Sequence, residues 1–117
     1  MRRDPRSFLW DVQDAAGAIR QFLQQRDFDA YMTDLMLRSA VERQLATIGE
    51  ALTQLRRLDP ELAARIPELR GVIAFRNNLI HGYSQIDDYE VWRAIEHDLP
   101  ALCDRVTALL AELGDTP

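Results

Sequence analysis

Apolar residues recur three or four positions apart along most of the chain, which is the spacing of helices that bury one face. Runs that alternate apolar and polar residues, as half-buried strands do, are not found. The pattern therefore predicts an all-α fold. A first helix is expected from the Asp4-Pro5 pair, a cap followed by a first-turn proline, to about Gln25. Its buried face is predicted to consist of Phe8, Val12, Ala15, Ile19 and Phe22.

The middle of the chain predicts one long helix, from near Asp29 to about Leu58. Its packed seam is expected at Leu45, Ile48, Leu52 and Leu55. The opposite side mixes both signs of charge, which is typical of solvated surface. This charged side consists of Arg38, Glu42, Arg43, Glu50 and Arg57. Asp59-Pro60 predicts a short helical turn, and Pro67 predicts the start of the next helix.

The last helix is predicted from its cap and from its apolar spacing. Asp87 with Glu90 fits a capping box, and the helix is expected to run to about Leu113. Pro100 lies inside it and should kink it, because proline removes one backbone hydrogen bond.

Length and cysteine content limit the kind of protein. With 117 residues, the chain predicts a single domain over residues 1–117, whose small core would gain from oligomerisation. The single cysteine, Cys103, excludes an internal disulfide, and with only His81 and His97 it does not form a zinc-ligand pattern. We therefore expect no metal or other cofactor. Neither a secretory leader nor a membrane span is predicted, and a reducing cytoplasm is the expected setting.

The charge balance bears on nucleic-acid binding. The net charge is −5, and all 14 basic residues are arginines. This balance disfavours a protein that binds nucleic acid through a generally basic surface, since neutralisation of phosphates dominates such binding. Any contact with RNA is therefore expected to be local.

Residues 76–83 concentrate side chains that are suited to catalysis, namely Arg76, His81 and Tyr83. Arginine can bind a phosphate through two N–H groups, and histidine exchanges protons near neutral pH, so the pattern indicates phosphodiester chemistry. Arg76 falls on an apolar stripe and needs a partner, so a structural ion pair with Glu42 or Glu50 is the alternative. That inward stripe is predicted to consist of Leu69, Val72, Ile73, Arg76, Leu79, Ile80 and Tyr83.

The position of His81 relative to Arg76 matters for any joint role. Gly82 is a natural helix terminator, so His81 should lie in the last turn, where the helix dipole favours a protonated imidazole. A surface histidine that caps terminal carbonyls is the alternative. Five positions correspond to about 140° around a helix. The two side chains therefore converge only if the helix ends early or if two subunits contribute to one site.

The Arg-x-x-x-x-His-x-Tyr pattern resembles the signature of HEPN-domain ribonucleases, in the branch of the HepT-like toxins. Residues 40–52 resemble the long second helix of that family, and residues 91–100 resemble its last helix, so nearly the whole chain is covered. The resemblance implies an up-and-down bundle of roughly four to five helices. It also implies a homodimer with paired motifs at the interface.

The same resemblance implies a function and a means of control. The protein is expected to be a metal-independent endoribonuclease with Arg76 and His81 as catalytic residues and Asn77 in support. The alternative for Asn77 is an exposed helix residue without a role in the site. Attack by the ribose 2′-hydroxyl requires RNA, because DNA lacks this group. Single-stranded RNA or tRNA is the expected substrate. The family further implies a toxin of a type VII-like toxin–antitoxin system, neutralised when a MntA-like nucleotidyltransferase antitoxin attaches AMP to Tyr83.

Two rival interpretations remain open on sequence. One is a non-catalytic helical module that docks a nucleotidyltransferase, and the other is an interaction protein whose motif helix forms an oligomer interface. Of the remaining candidates, His97 is interpreted as a surface or interface residue and Cys103 as a small core residue. Trp92 is expected in the core or at a dimer interface rather than as a platform for RNA bases.

Overall fold

The fold is built from helices. The structure is a computed structural model that describes residues 4–81 and 87–114. Side chains are described for all of these residues except 78–81. The helices are α1 Pro5–Phe22, α2 Phe28–Thr33, α3 Leu35–Leu58, α4 Pro60–Ala63, α5 Leu69–His81, α6 Asp88–Arg93 and α7 Leu99–Leu113, with a π-helical turn at Ala94–Asp98 between the last two. Every regular element among these described residues is helical, which confirms the predicted all-α fold.

Helix α1 begins as predicted and ends slightly early. The Asp4 carboxylate accepts a hydrogen bond of 2.9 Å from the Arg6 backbone N–H and so caps the first turn. The predicted apolar face is buried, apart from a half-buried Phe22 at its end. The helix stops at Phe22 rather than at Gln25 because Gln25 has a φ of 60°, a left-handed conformation that an α-helix does not continue through.

The predicted single helix from Asp29 to Leu58 is wrong, because Asp34 divides it into α2 and α3. Asp34 has an extended backbone (φ −121°, ψ 96°), and its carboxylate accepts a 3.0 Å hydrogen bond from the Leu37 N–H. Aspartate competes for backbone donors in this way, so it favours a cap over a helix interior. Helix α2 therefore ends at Thr33, and α3 begins anew at Leu35.

Helix α3 lies at the centre of the molecule, with α1 against one side and α5 against another. Its predicted seam is confirmed, since Leu45, Ile48, Leu52 and Leu55 are all buried. These side chains join those of α1, α4, α5 and α7 in one apolar cluster. Helix α3 contacts both α1 and α5. Polar side chains on α3 that lie between these two neighbours can therefore line a site shared by the three helices.

The C-terminal helices confirm the predicted end point and, from the predicted capping box, the Asp87 cap. The Asp87 carboxylate accepts a 3.0 Å hydrogen bond from the Tyr89 N–H at the start of α6, and α7 ends at Leu113. Just before Pro100, where a kink is predicted, the helix has a π-helical turn, in which the Leu99 N–H donates to the Ala94 carbonyl five residues earlier. Proline has no N–H to continue the α-helical pattern at this point.

Three single residues take the places expected of them. Trp92 is partly buried and packs against the core, with its ring centroid 5.9 Å from that of Phe28 and 5.5 Å from that of Tyr31. Cys103 is buried, and burial raises the pKa of its thiol. His97 is exposed on the π-helical turn. No helix in the described part of the chain is long and apolar enough to cross a bilayer.

Candidate active site around Arg76

Arg76 lies where α5 crosses α3, directly over Gly49. A Cβ atom placed on Gly49 would overlap the Cβ of Arg76 and lie 2.5 Å from its Cγ, far inside van der Waals contact. Only glycine therefore allows this approach of the two helices. The close crossing fixes the base of the arginine side chain against the backbone of α3.

The guanidinium of Arg76 is held by two acceptors. Its Nη2 donates to the Glu50 Oε2 over 2.5 Å, and its Nη1 donates to the Asn77 Oδ1 over 3.0 Å. The Nε is buried and has no hydrogen-bond partner among the described residues. Of the two acids considered from sequence, Glu50 is therefore the partner of Arg76. The Arg76 side chain is 22% exposed, and that of Glu50 is 47% exposed, so the pair lies at the edge of the core.

Glu50 is in turn held by its own helix. The Gln54 side-chain amide donates a 2.9 Å hydrogen bond to the Glu50 Oε1, one turn further along α3. This hydrogen bond, together with the positive charges of Arg76 and Arg57, lowers the pKa of the Glu50 carboxyl. Glu50 is therefore ionised at neutral pH, and Gln54, Glu50, Arg76 and Asn77 form a continuous chain of hydrogen bonds across α3 and α5.

A groove of about 310 Å³ opens beside this chain of hydrogen bonds, between α1, α3 and α5. Its volume is at the lower end of the range typical of small-molecule sites. Four polar residues of α3 follow one another at spacings of four, three and four, which places them on one helix face toward the groove. The lining consists of Phe8, Asp11, Arg43, Ala46, Thr47, Glu50, Ala51, Gln54 and Arg76.

The remaining predicted site residues are placed only in part. Asn77 is exposed and contacts Arg76. His81 is the last residue of α5, but its side chain and those of Leu79 and Ile80 lie outside the described set, as does the whole of Tyr83. Elsewhere on the inward stripe, Leu69 and Ile73 are buried and Val72 is partly buried, as predicted.

The backbone of α5 bears on how Arg76 and His81 can act together. The helix stays α-helical from Leu69 to His81. Residues 76 and 81 therefore leave the helix about 140° apart. Arg76 and His81 are expected to act together only if the helix ends early or if two subunits share one site. The backbone shows no early end of the helix between these residues. The contribution from two subunits remains a prediction.

Sequence reasoning missed Gly49 and Gln54 as parts of this site. A glycine in the interior of a long helix was the available signal, because it weakens the helix and usually has a packing reason. Gln54 gave no such signal, since a glutamine is common on exposed helix surfaces. Among the described side chains, no three His, Cys, Asp or Glu residues lie close enough together to hold a metal ion.

Residues 12–109 match the family described as Ribonuclease HepT-like. The chain belongs to the HepT-like ribonuclease family. The matched range includes Gly49, Glu50 and Arg76, and it confirms the family suggested by the motif and its two flanking blocks.

Several relatives are similar over most of their length. A "Putative RNase" of Methanocaldococcus jannaschii is 30% identical over 103 residues, which is 86% of this chain and 92% of that protein. The "Probable ribonuclease HepT" of Thermococcus cleftensis is 30% identical over 106 residues, or 87% of this chain and 92% of that protein. A second "Putative RNase" of Methanocaldococcus jannaschii is 28% identical over 116 residues and covers 97% of both chains. No solved structure matches the chain.

Proposed function

We propose that the protein is a metal-independent endoribonuclease in which Arg76 binds the phosphate to be cleaved and His81 transfers a proton. The observation that carries the proposal is the placement of Arg76. In a chain of the HepT-like ribonuclease family, a guanidinium is held by Glu50 and Asn77 at the edge of an open groove. A cation fixed in this way can stabilise charge that develops on a phosphate without first reorganising.

The proposed reaction is an internal transfer of the phosphate. The ribose 2′-oxygen attacks the adjacent phosphorus and loses its proton to a base, and the bond from phosphorus to the 5′-oxygen breaks. The leaving 5′-oxygen takes up a proton, so the products are a 2′,3′-cyclic phosphate and a 5′-hydroxyl end. His81 serves in proton transfer, and Arg76 stabilises the negative charge of the pentavalent transition state. DNA lacks the attacking hydroxyl, which restricts the substrate to RNA.

We propose that two copies of the chain complete the site. Positions 76 and 81 of α5 are five residues apart, which is about 140° around a continuous α-helix, so they do not share one helix face. A two-fold dimer would place the motif helices of two copies side by side, with Arg76 of one near His81 of the other. The net charge of −5 fits an RNA contact limited to this site, with single-stranded RNA or tRNA as substrate.

We further propose that Tyr83 is the point of control. It follows His81 by two positions in the chain, so a nucleotide attached to its phenol would lie near the proton-transfer group. The phosphate of an added AMP would bring negative charge and bulk to the place that the substrate phosphate must occupy. A MntA-like nucleotidyltransferase antitoxin is the proposed source of the AMP, in a toxin–antitoxin pair of the type VII kind.

The proposal is tested by cleavage of single-stranded RNA and bulk tRNA in EDTA. We expect cutting by the wild type and none by Arg76→Ala or His81→Ala, each shown to fold. His97→Ala is the matched control, because it removes an exposed histidine outside the site. Absence of cutting by the wild type, or equal cutting by all variants, would contradict the proposed ribonuclease activity. The interpretation that remains would be a non-catalytic module that docks a nucleotidyltransferase.

The shared site has its own test. If Arg76 and His81 act across a dimer, mixing the two inactive variants should restore about a quarter of wild-type activity. Random exchange makes half of the dimers mixed, and each mixed dimer has one intact site of two. If both residues act from the same chain, mixing should restore nothing.

A further inference from the structure

We infer that Glu50 is a positioning residue for the proposed ribonuclease: its carboxylate fixes the orientation of the Arg76 guanidinium and weakens the attraction of Arg76 for RNA before the reaction. The inference rests on the proposed function and adds a residue from a different helix to that site. It concerns the free energy of the transition state relative to bound RNA, rather than the stability of the fold.

The geometry shows the Arg76 side chain held at both ends by neighbouring residues of α3. Gly49 contacts its base, where a Cβ would overlap the arginine Cβ. Glu50, about 100° further around the helix, binds its tip through Nη2. Two successive residues of one helix therefore determine where the guanidinium lies. This is the degree of order that a transition-state contact requires.

Among the described residues, neighbouring side chains use only two of the five guanidinium donors of Arg76. Arginine has five N–H groups, of which the Nε–H is buried against the protein and one on each terminal nitrogen is used by Glu50 and Asn77. Each terminal nitrogen retains a second N–H outside these bonds. Arg76 can therefore contact a phosphate while it remains bound to Glu50, so the ion pair orients the cation without consuming its donors.

The charge of Glu50 has the opposite effect on substrate binding. Hydrogen bonding to Gln54, and then the charges of Arg76 and Arg57, lower the pKa of Glu50, so a carboxylate stands beside the cation at neutral pH. The pair has no net charge, and an RNA phosphate approaching it meets less attraction than it would from Arg76 alone. Removal of the carboxylate should therefore tighten binding of RNA and slow the reaction, two effects that a loss of folding cannot combine.

The test compares Glu50→Gln with Glu42→Gln, which removes the same charge from the same helix away from Arg76. For Glu50→Gln we expect a lower KM and a kcat reduced by about tenfold or more, because the guanidinium loses its fixed orientation. Binding of single-stranded RNA in a His81→Ala background should tighten. Its dependence on salt should also steepen by about 0.7 in the slope of log K against log salt, as one more phosphate is neutralised. Glu42→Gln should change none of these quantities.

A second variant guards against poor folding of the first. Gln54→Leu leaves the charge of Glu50 but removes the amide that holds it, and we expect a smaller fall in kcat with an unchanged salt slope. An unchanged kcat or a raised KM for Glu50→Gln, in a wild type whose cutting requires Arg76, would overturn the inference and leave the ribonuclease intact. Failure of the wild type to cut RNA would overturn both.

Discussion

Gly49→Ala is the most direct test of the crossing between α3 and α5. The new Cβ would stand 2.5 Å from the Arg76 Cγ, whereas unstrained carbon atoms prefer about 3.5–4.0 Å. The Arg76 Cβ moves only with the backbone, and rotation of the side chain about its first bond shifts Cγ but leaves Cβ in place, so the helices must separate. Overpacking of this kind costs about 1–3 kcal/mol, and alanine returns about 0.5–1 kcal/mol through its helix propensity. We expect a net loss of about 1 kcal/mol in the free energy of unfolding.

Two other glycines supply the control. Gly17 in α1 and Gly71 in α5 have nothing within 4 Å of an added Cβ. Alanine at either position should therefore raise the free energy of unfolding by about 0.5–1 kcal/mol. Urea unfolding and thermal melts at one protein concentration measure all three variants, with about 4 °C in Tm for each kcal/mol in a chain of this size.

The sign of the change decides the outcome. A Gly49→Ala variant that melts about 4 °C below the wild type, beside a Gly17→Ala variant that melts slightly above it, would support the close crossing. If Gly49→Ala melts at or above the wild type, as Gly17→Ala should, α3 and α5 do not approach at this point. The position assigned to Arg76 would then be refuted with it.

Two further predictions concern one buried and one partly buried polar group near α2. The Tyr31 hydroxyl is buried and has no hydrogen-bond partner among the described residues. Tyr31→Phe should therefore raise the free energy of unfolding, measured in urea, by up to about 1 kcal/mol. A fall of that size in the free energy of unfolding would instead reveal a partner. Burial, followed by the charge of Asp88, raises the pKa of Glu42, so the ionised carboxylate destabilises the fold. Glu42→Gln should therefore stabilise the protein at pH 7, and the gain should vanish below the unfolded pKa of about 4.3, where both side chains are neutral; a gain that grows on acidification would contradict this.

The helices that bury a regular apolar face could be predicted from the sequence. The seam of α3 is one example, because Leu45, Ile48, Leu52 and Leu55 recur at helical spacing and are all buried. The division between α2 and α3 could not be predicted from that pattern. Asp34 is neither proline nor glycine, and the apolar spacing runs through it. At Asp34 the backbone is extended, and its carboxylate accepts hydrogen bonds from the Leu37 N–H and the Arg26 side chain.

The candidate site was predictable in part for a similar reason. An arginine on an apolar stripe requires a partner, so Arg76 could be singled out and Glu50 named as one of two acids. The choice between Glu42 and Glu50 depends on which turn of α3 meets α5. That register is set by Gly49, through a contact between residues 27 positions apart in the chain. Periodicity within one helix carries no information about such a contact.

The π-helical turn at Ala94–Asp98 offsets the side-chain directions of α7 from those of α6. A π turn adds one residue to a helical turn, so every later side chain is rotated by about 100° relative to an uninterrupted α-helix. Before it, Trp92 is directed at Tyr31 of α2; after it, Leu102 is directed at a small cavity shared with α3 and α5. Deletion of one residue in this turn would restore continuous α-helical spacing from α6 to α7. Either Trp92 or Leu102 would then turn away from its neighbours. The segment therefore tolerates changes in residue type far better than changes in residue number.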